Sequence, residues 1–241
     1  MAMQLRWVLV ALLLPGPIPG ASLLCAEDPA APTETPPPRE YRGRRIAQTM
    51  HYTGAPWLTR ESREREEDCS TMLQQLDVRP GMTVCDMGCG NGFYTLKLAR
   101  LVQPGGRVLA VDIQPEMLRL LQARAAEAEL KNIELIEGDV DDPKLPANQL
   151  DLILCVDVYH EFSHPEEMLA EMRAALRPGG RLVLVEFRGE DPDVPIKPLH
   201  KMSRQQVVKE LEPNGFRLVR EFQKLPWQHM MFFQRAEPPA P

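Results

Sequence analysis

The stretch from Val84 to Thr95, VCDMGCGNGFYT, limits what this chain can fold into more than any other. A short apolar run, Thr83 to Cys85, meets an acid at Asp86, and glycines follow at Gly88, Gly90 and Gly92. Phe93 to Val102 then carries apolar residues at helical spacing. Glycine has no Cβ and adopts positive φ freely. A strand, a glycine-rich turn and a helix in succession therefore let backbone come close to a nucleotide-like ligand. Several ligand classes use such a turn, and the rest of the chain decides among them.

Downstream, apolar runs and amphipathic segments alternate. Arg107 to Val111 is expected as a strand ending at Asp112, and Met117, Leu118, Leu120 and Leu121 supply the buried face of a helix opened by Pro115. Ile133 to Ile136 forms a third strand. Leu150 to Val156 forms a fourth, nearly all apolar as suits a strand covered on both faces. A helix over Pro165 to Leu176 stops at Pro178-Gly179-Gly180, before a fifth strand from Arg181 to Phe187. This serial alternation predicts an α/β doubly wound, mostly parallel sheet. Ser203 caps a helix ending at Leu211. Phe216 to Phe222 and Gln228 to Gln234 are joined by a link too short for a helical crossover, so they form an antiparallel hairpin at one edge.

Upstream, Tyr41 to Met50 is expected as a short helix, and Arg60 to Leu76 as a longer one whose charge run is a solvated face. Residues 60–235 form one domain, 41–59 an arm or lid, 27–40 a proline-rich linker and 236–241 a disordered tail. In residues 1–26, Arg6 precedes the apolar run Trp7 to Leu14, prolines break it, and Gly20, Ala21 and Ser22 offer small residues for cleavage. The run is too short to span a bilayer, so it reads as a signal peptide and the mature chain has no transmembrane span. The five cysteines show no disulfide or zinc spacing and are expected as free core residues. That usage suits the cytoplasm and pulls against the leader, leaving localisation open. A formal charge of -6 argues against a general nucleic-acid binder.

Acids stand at three strand ends: Asp86, Asp112 and Asp139. Asp112, twenty residues past Gly92, is placed to accept hydrogen bonds from both hydroxyls of a ribose. Nicotinamide and flavin nucleotides fit this as well as S-adenosylmethionine does. The dinucleotide fingerprint, however, is G-x-G-x-x-G, and here Phe93 occupies the position that should be small. An acid two residues before the first glycine suits an ammonium group better than a diphosphate. S-adenosylmethionine carries adenine, ribose and an amino acid, with no phosphate.

DMGCGNG, AVDIQPEML and the GDV of Gly138 to Val140 resemble motifs of the class I S-adenosylmethionine-dependent methyltransferases. The likeness runs from about Val78 to Phe233 and includes RPGGRLVLVEF. The whole chain looks like bacterial methyltransferase-domain proteins with a leader. That resemblance implies a Rossmann-like sheet of strand order 3-2-1-4-5-7-6, with S-adenosylmethionine as methyl donor. By the same likeness Gly88 and Gly90 carry backbone past the methionine part, and Asp86 holds its amino end. Asp112 takes the ribose, Asp139 the adenine amine, and Ile113 and Val140 flank the ring; Asp157, after strand four, is expected from its position to face the donor site.

A sulfonium is already an activated methyl donor, so the remaining chemistry is placement of an acceptor and removal of its proton where it has one to lose. His160 with Glu161, after strand four, is the candidate base. Tyr52, Trp57, Tyr159, Glu186, Arg188, His200 and Lys201 are the candidate acceptor contacts, several of them on the long loop after strand five. No metal ligands are expected. The lack of an NPPY-type tetrapeptide after strand four disfavours nucleic-acid bases and leaves a small molecule, ahead of a protein, as the unidentified acceptor. Two alternatives stay beside this reading: a binding protein that keeps the donor pocket without catalysis, and a nucleotide-dependent oxidoreductase, which Phe93 disfavours.

Overall fold

The apolar runs of the sequence become neighbours in one seven-stranded sheet. A computed structural model describes residues 40–236. Its strands are β1 (Thr83–Met87), β2 (Arg107–Asp112), β3 (Ile133–Glu137), β4 (Leu150–Val156), β5 (Leu176–Phe187), β6 (Phe216–Phe222) and β7 (Gln228–Arg235). The first five run parallel, and the β6–β7 hairpin joins them antiparallel through β7 against β5. Spatial order is 3-2-1-4-5-7-6, the order implied by the resemblance.

Helices α1 (Thr95–Leu101), α2 (Pro115–Glu127), α3 (Pro165–Ala175) and α4 (Arg204–Leu211) cover the sheet. Alternate strand residues point to opposite faces. Cys85, Leu109, Ile153 and Leu184 pack with Met168, Leu169 and Met172 of α3 and Val207 and Leu211 of α4. Val84, Val108, Leu152 and Val183 pack instead with Leu98 and Ala99 of α1 and with Cys69, Met72 and Leu76. Each such Val, Leu, Ile or Met side chain contributes about 1.5–3 kcal/mol of burial. Central β1 and β4 are thus fixed from both sides, and with them the loops that leave their carboxyl ends.

Three local expectations are corrected. The Arg60–Leu76 helix is two pieces, Arg63–Glu67 and Cys69–Gln75, broken where Asp68 turns left-handed at φ 50°. Its Oδ1 accepts from Thr71 N at 3.2 Å, so one residue ends the first piece and caps the second. Tyr41 to Met50 is not a helix. Glu40–Tyr41 pairs antiparallel with Arg44–Arg45 across Arg42-Gly43, both at positive φ (48° and 84°). Pro178-Gly179-Gly180 does not end an element but bulges within β5: Leu150 faces Leu176 while Leu152 faces Arg181.

Among the described residues, no helix is long and apolar enough to cross a membrane. Cys69, Cys85, Cys89 and Cys155 are free and buried, as expected of core cysteines. The leader, most of the linker, Cys25 and the last five residues lie outside the described residues.

Candidate active site

A cavity of about 550 Å³ opens at the carboxyl ends of β1, β2, β4 and β5, the position where open α/β sheets take ligands. One end is built around the glycine turn. Gly88 stands at φ +67°, and a Cβ there would lie 2.3 Å from Val158 Cγ2. At Gly90, φ +52°, it would lie 2.6 Å from Leu58 Cδ1. Only bare backbone fits the turn. Gly90 N donates to Asp112 Oδ2 at 2.8 Å and Gln114 N to Oδ1 at 2.9 Å, fixing that carboxylate in the wall. Burial pushes its pKa up against those bonds. Asp139, Ile113 and Val140 line the same end. Ile113 and Val140 are apolar yet 38% and 47% exposed, while Asp139 carries Lys144 Nζ at 3.0 Å.

Asp157 also lines the cavity, in a left-handed conformation at φ 51°. Gln228 Nε2 donates to its Oδ2 at 2.8 Å, but Oδ1 is buried without a hydrogen-bond partner. Burial, and then the charges of Glu67 and Glu186, push this carboxyl well above the usual carboxylate range. Beside it, Arg63 Nε donates to Glu67 Oε2 at 2.9 Å and Nη1 to Leu58 O at 2.7 Å. The guanidinium lies 4.3 Å from the Phe93 ring centre and 4.9 Å from that of Tyr94. Arg63 and Glu67 were expected on a solvated face. They are 5% and 1% exposed, and both line the cavity. Their (i, i+4) spacing did not distinguish this placement from a wet face, and Gln228 gave no sign either.

Asp86 is a correction. It does not line the cavity but turns beneath the glycine turn, where Thr95 Oγ1 donates to Oδ2 at 2.5 Å. Burial raises its pKa to about 6 despite that bond.

The cavity is also lined by His160, Glu161 and His200, together with Phe162, Phe187 and Ile196. His160 Nδ1 meets Glu186 Oε2 at 2.7 Å, and its Nε2 meets His200 Nδ1 at 3.1 Å. Burial opposes the imidazolium of His160, yet Glu186 outweighs it and the pKa rises. Burial lowers that of His200, aided by His160 and Lys197. Glu161 is pushed up to about 7 by burial, against the pull of His160. Met50 N donates to both of its oxygens at 3.3 Å. Met50 O accepts from Gln114 Nε2 at 2.9 Å, so one residue of the arm bonds both Glu161 and the side chain two positions after Asp112.

Of the candidate acceptor contacts, His200 and Trp57 line the cavity. The others do not, each for a local reason. Tyr159 is fully buried, and its hydroxyl donates to Glu210 Oε2 at 2.9 Å. Glu186 lies behind His160 and also accepts from Tyr159 N at 2.9 Å. Arg188 donates to the carbonyls of Leu225, Pro226 and Gln228 and pins the hairpin loop. Lys201 Nζ donates to Asp191 O at 3.0 Å, within the long loop. Tyr52 sits on the outside, its N bonded to Gln114 Oε1 at 2.8 Å.

Residues 79–231 match the family model of a methyltransferase domain. A ubiquinone/menaquinone biosynthesis C-methyltransferase from Ectopseudomonas mendocina is 33% identical over 111 residues, 46% of this chain and 43% of that protein. A nocamycin O-methyltransferase from Saccharothrix syringae is 35% identical over 113 residues, 47% of this chain and 40% of that protein. The matching stretch thus spans less than half of either relative. The crystal structure of a SAM-dependent methyltransferase from Aquifex aeolicus superposes with a TM-score of 0.72 at 28% identity, covering 77% of this chain and 98% of that one.

Proposed function

Because the chain belongs to the methyltransferase-domain family, we propose that it moves a methyl group from S-adenosylmethionine to a small-molecule acceptor with an apolar body. The observation that carries this reading is the unpartnered, buried Oδ1 of Asp157 in a wall shared with Glu67. A buried carboxylate oxygen left short of a donor favours a cationic ligand. An ammonium group beside a bare glycine turn meets that need, and a diphosphate would worsen it.

The residues divide the donor among them. Asp112 has lone pairs left for the two ribose hydroxyls, since each oxygen accepts one backbone N–H. Ile113 and Val140 cover the adenine faces, and Asp139 accepts from the adenine amine. Gly88 and Gly90 admit the methionine part. Asp157 takes its ammonium, in place of Asp86, and Arg63 faces its carboxylate, while Glu67 is held by Arg60 and Arg63. When bound, the sulfonium supplies an activated methyl group. What the chain itself does is hold the acceptor in line with it and exclude water. Phe162, Phe187 and Ile196 seat the acceptor's apolar body, and His160, Glu161 and His200 face its nucleophilic atom where that atom loses its proton.

The two named relatives methylate carbon and oxygen respectively, so the acceptor atom is decided at this second end of the cavity and not by the family. Calorimetric titration with S-adenosylmethionine tests the donor site. The expected result is saturable binding that NAD does not compete for, and that Asp112→Ala weakens about 10–100-fold, the loss of hydrogen bonds to a charged group. Unchanged binding in that variant would remove the assignment.

A further inference from the structure

Three atoms of the kind that ligate metals converge at the acceptor end of the cavity. His160 Nε2 lies 3.1 Å from His200 Nδ1 and 3.8 Å from Glu161 Oε1, and Glu161 Oε1 lies 3.8 Å from His200 Nδ1. The centre of a triangle with those sides is about 2.1 Å from every corner, which is the bond length of zinc to imidazole nitrogen or carboxylate oxygen. Among the described residues, this is the one group of three or more such side chains close enough to hold an ion.

We propose that His160, Glu161 and His200 bind one divalent first-row transition-metal cation, with an open coordination position facing the acceptor. Two imidazoles and one carboxylate suit Zn²⁺ or Fe²⁺, whereas Mg²⁺ and Ca²⁺ prefer oxygen alone. The supports behind the ligands fit the same reading. Glu186 Oε2 takes the Nδ1 proton of His160 at 2.7 Å, which leaves the Nε2 lone pair directed away from it. Met50 N holds both oxygens of Glu161.

His160 and Glu161 lie on a 3₁₀ turn after β4, while His200 comes from another, Pro198–His200, in the long loop after β5. The cation would tie that loop to the end of β4. Resting on the methyltransferase reading above, the site also narrows the acceptor to a molecule bearing a hydroxyl or enol. Its oxygen would take the open position as its O–H bond breaks and the proton leaves to solvent, and Phe162, Phe187 and Ile196 would hold its apolar body.

The test uses full-length protein freed of metal with a chelator. It is titrated with Zn²⁺ against a chromogenic competitor, and separately with Co²⁺ read by visible absorption. One equivalent of either metal should bind, with a Co²⁺ spectrum free of thiolate charge transfer. His200→Ala and Glu161→Gln should each weaken binding by about 100-fold or more, and the positioning variant Glu186→Gln by about 10–100-fold. His200 is partly exposed and Gln preserves the shape of Glu161, so neither substitution threatens the fold. Absence of saturable uptake, a thiolate spectrum, or affinity unchanged in both ligand variants would overturn the proposal. S-adenosylmethionine binding is measured on the same metal-free sample. Donor bound without metal uptake rejects the metal site and keeps the methyltransferase, and metal uptake without donor binding does the reverse.

Discussion

The two ends of the cavity are made of different material. The part around the glycine turn, where we propose the donor binds, is largely backbone: a turn at positive φ with no room for a Cβ and two amides gripping Asp112, beside one carboxylate oxygen left unpartnered on Asp157. Side chains make the part proposed for the acceptor, where His160 meets Glu186 and His200 across 26 and 40 residues of sequence. A backbone site serves one ligand shape and tolerates little substitution. A side-chain site on a loop can be rewritten residue by residue while the donor turn stays as it is, which suits a family with many acceptors.

Substitutions can break this division or sharpen it. The largest effect is expected at Glu161→Gln, which keeps the side chain's shape but removes its charge. Methyl transfer should slow by about 10²–10⁴-fold, the range for loss of an acid–base group, with donor affinity retained. Equal losses in both would merge the two ends into one. The next effect lies under the donor turn. Asp86 titrates at about 6 in the folded protein against 3.8 in the unfolded chain. Its folded pKa is raised, so its contribution to stability is full below pH 3.8 and is lost as pH rises through about 6. That loss amounts to about 3 kcal/mol at most. Asp86→Asn should therefore raise the unfolding free energy at pH 7.5 and not at pH 4. An equal change at both pH values would show that its ionisation has no part in stability.

Gly88→Ala should cost about 1–2 kcal/mol of stability for a left-handed alanine, and donor affinity should fall with it as Val158 is pushed aside. Normal donor affinity in that variant would show that the turn is not the donor's bed. The smallest effect belongs to Tyr159→Phe, with about 1 kcal/mol of stability lost through the Glu210 hydrogen bond. The transfer rate should not change, and a slower rate would return Tyr159 to the acceptor site.

The same division decides what could be read before any fold was known. Strand alternation and the interval from Gly92 to Asp112 are local and periodic, so the sheet and the glycine turn beside Asp112 were legible in residue order. His160 and Glu161, which line the cavity, follow a strand end, and Trp57, which also lines it, lies on the short helix Ala55–Leu58 of the arm. Tyr159, Arg188 and Lys201 sit on the same kinds of loop, yet each turns toward a tertiary partner: Glu210, the hairpin carbonyls or Asp191 O. Nothing in residue order marks which way such a side chain turns. Arg63 and Glu67 failed in the opposite sense, because a charged (i, i+4) pair has the same pattern on a wet face and over a buried aromatic pair.

The most direct test follows the methyl group. Protein incubated with S-adenosylmethionine labelled in its methyl group, and with the small-molecule fraction of a cell extract, should pass label to a product that Glu161→Gln fails to form while still binding donor. Label confined to unreacted donor, or product formed equally well by that variant, would contradict the division of this cavity into a donor end and an acceptor end.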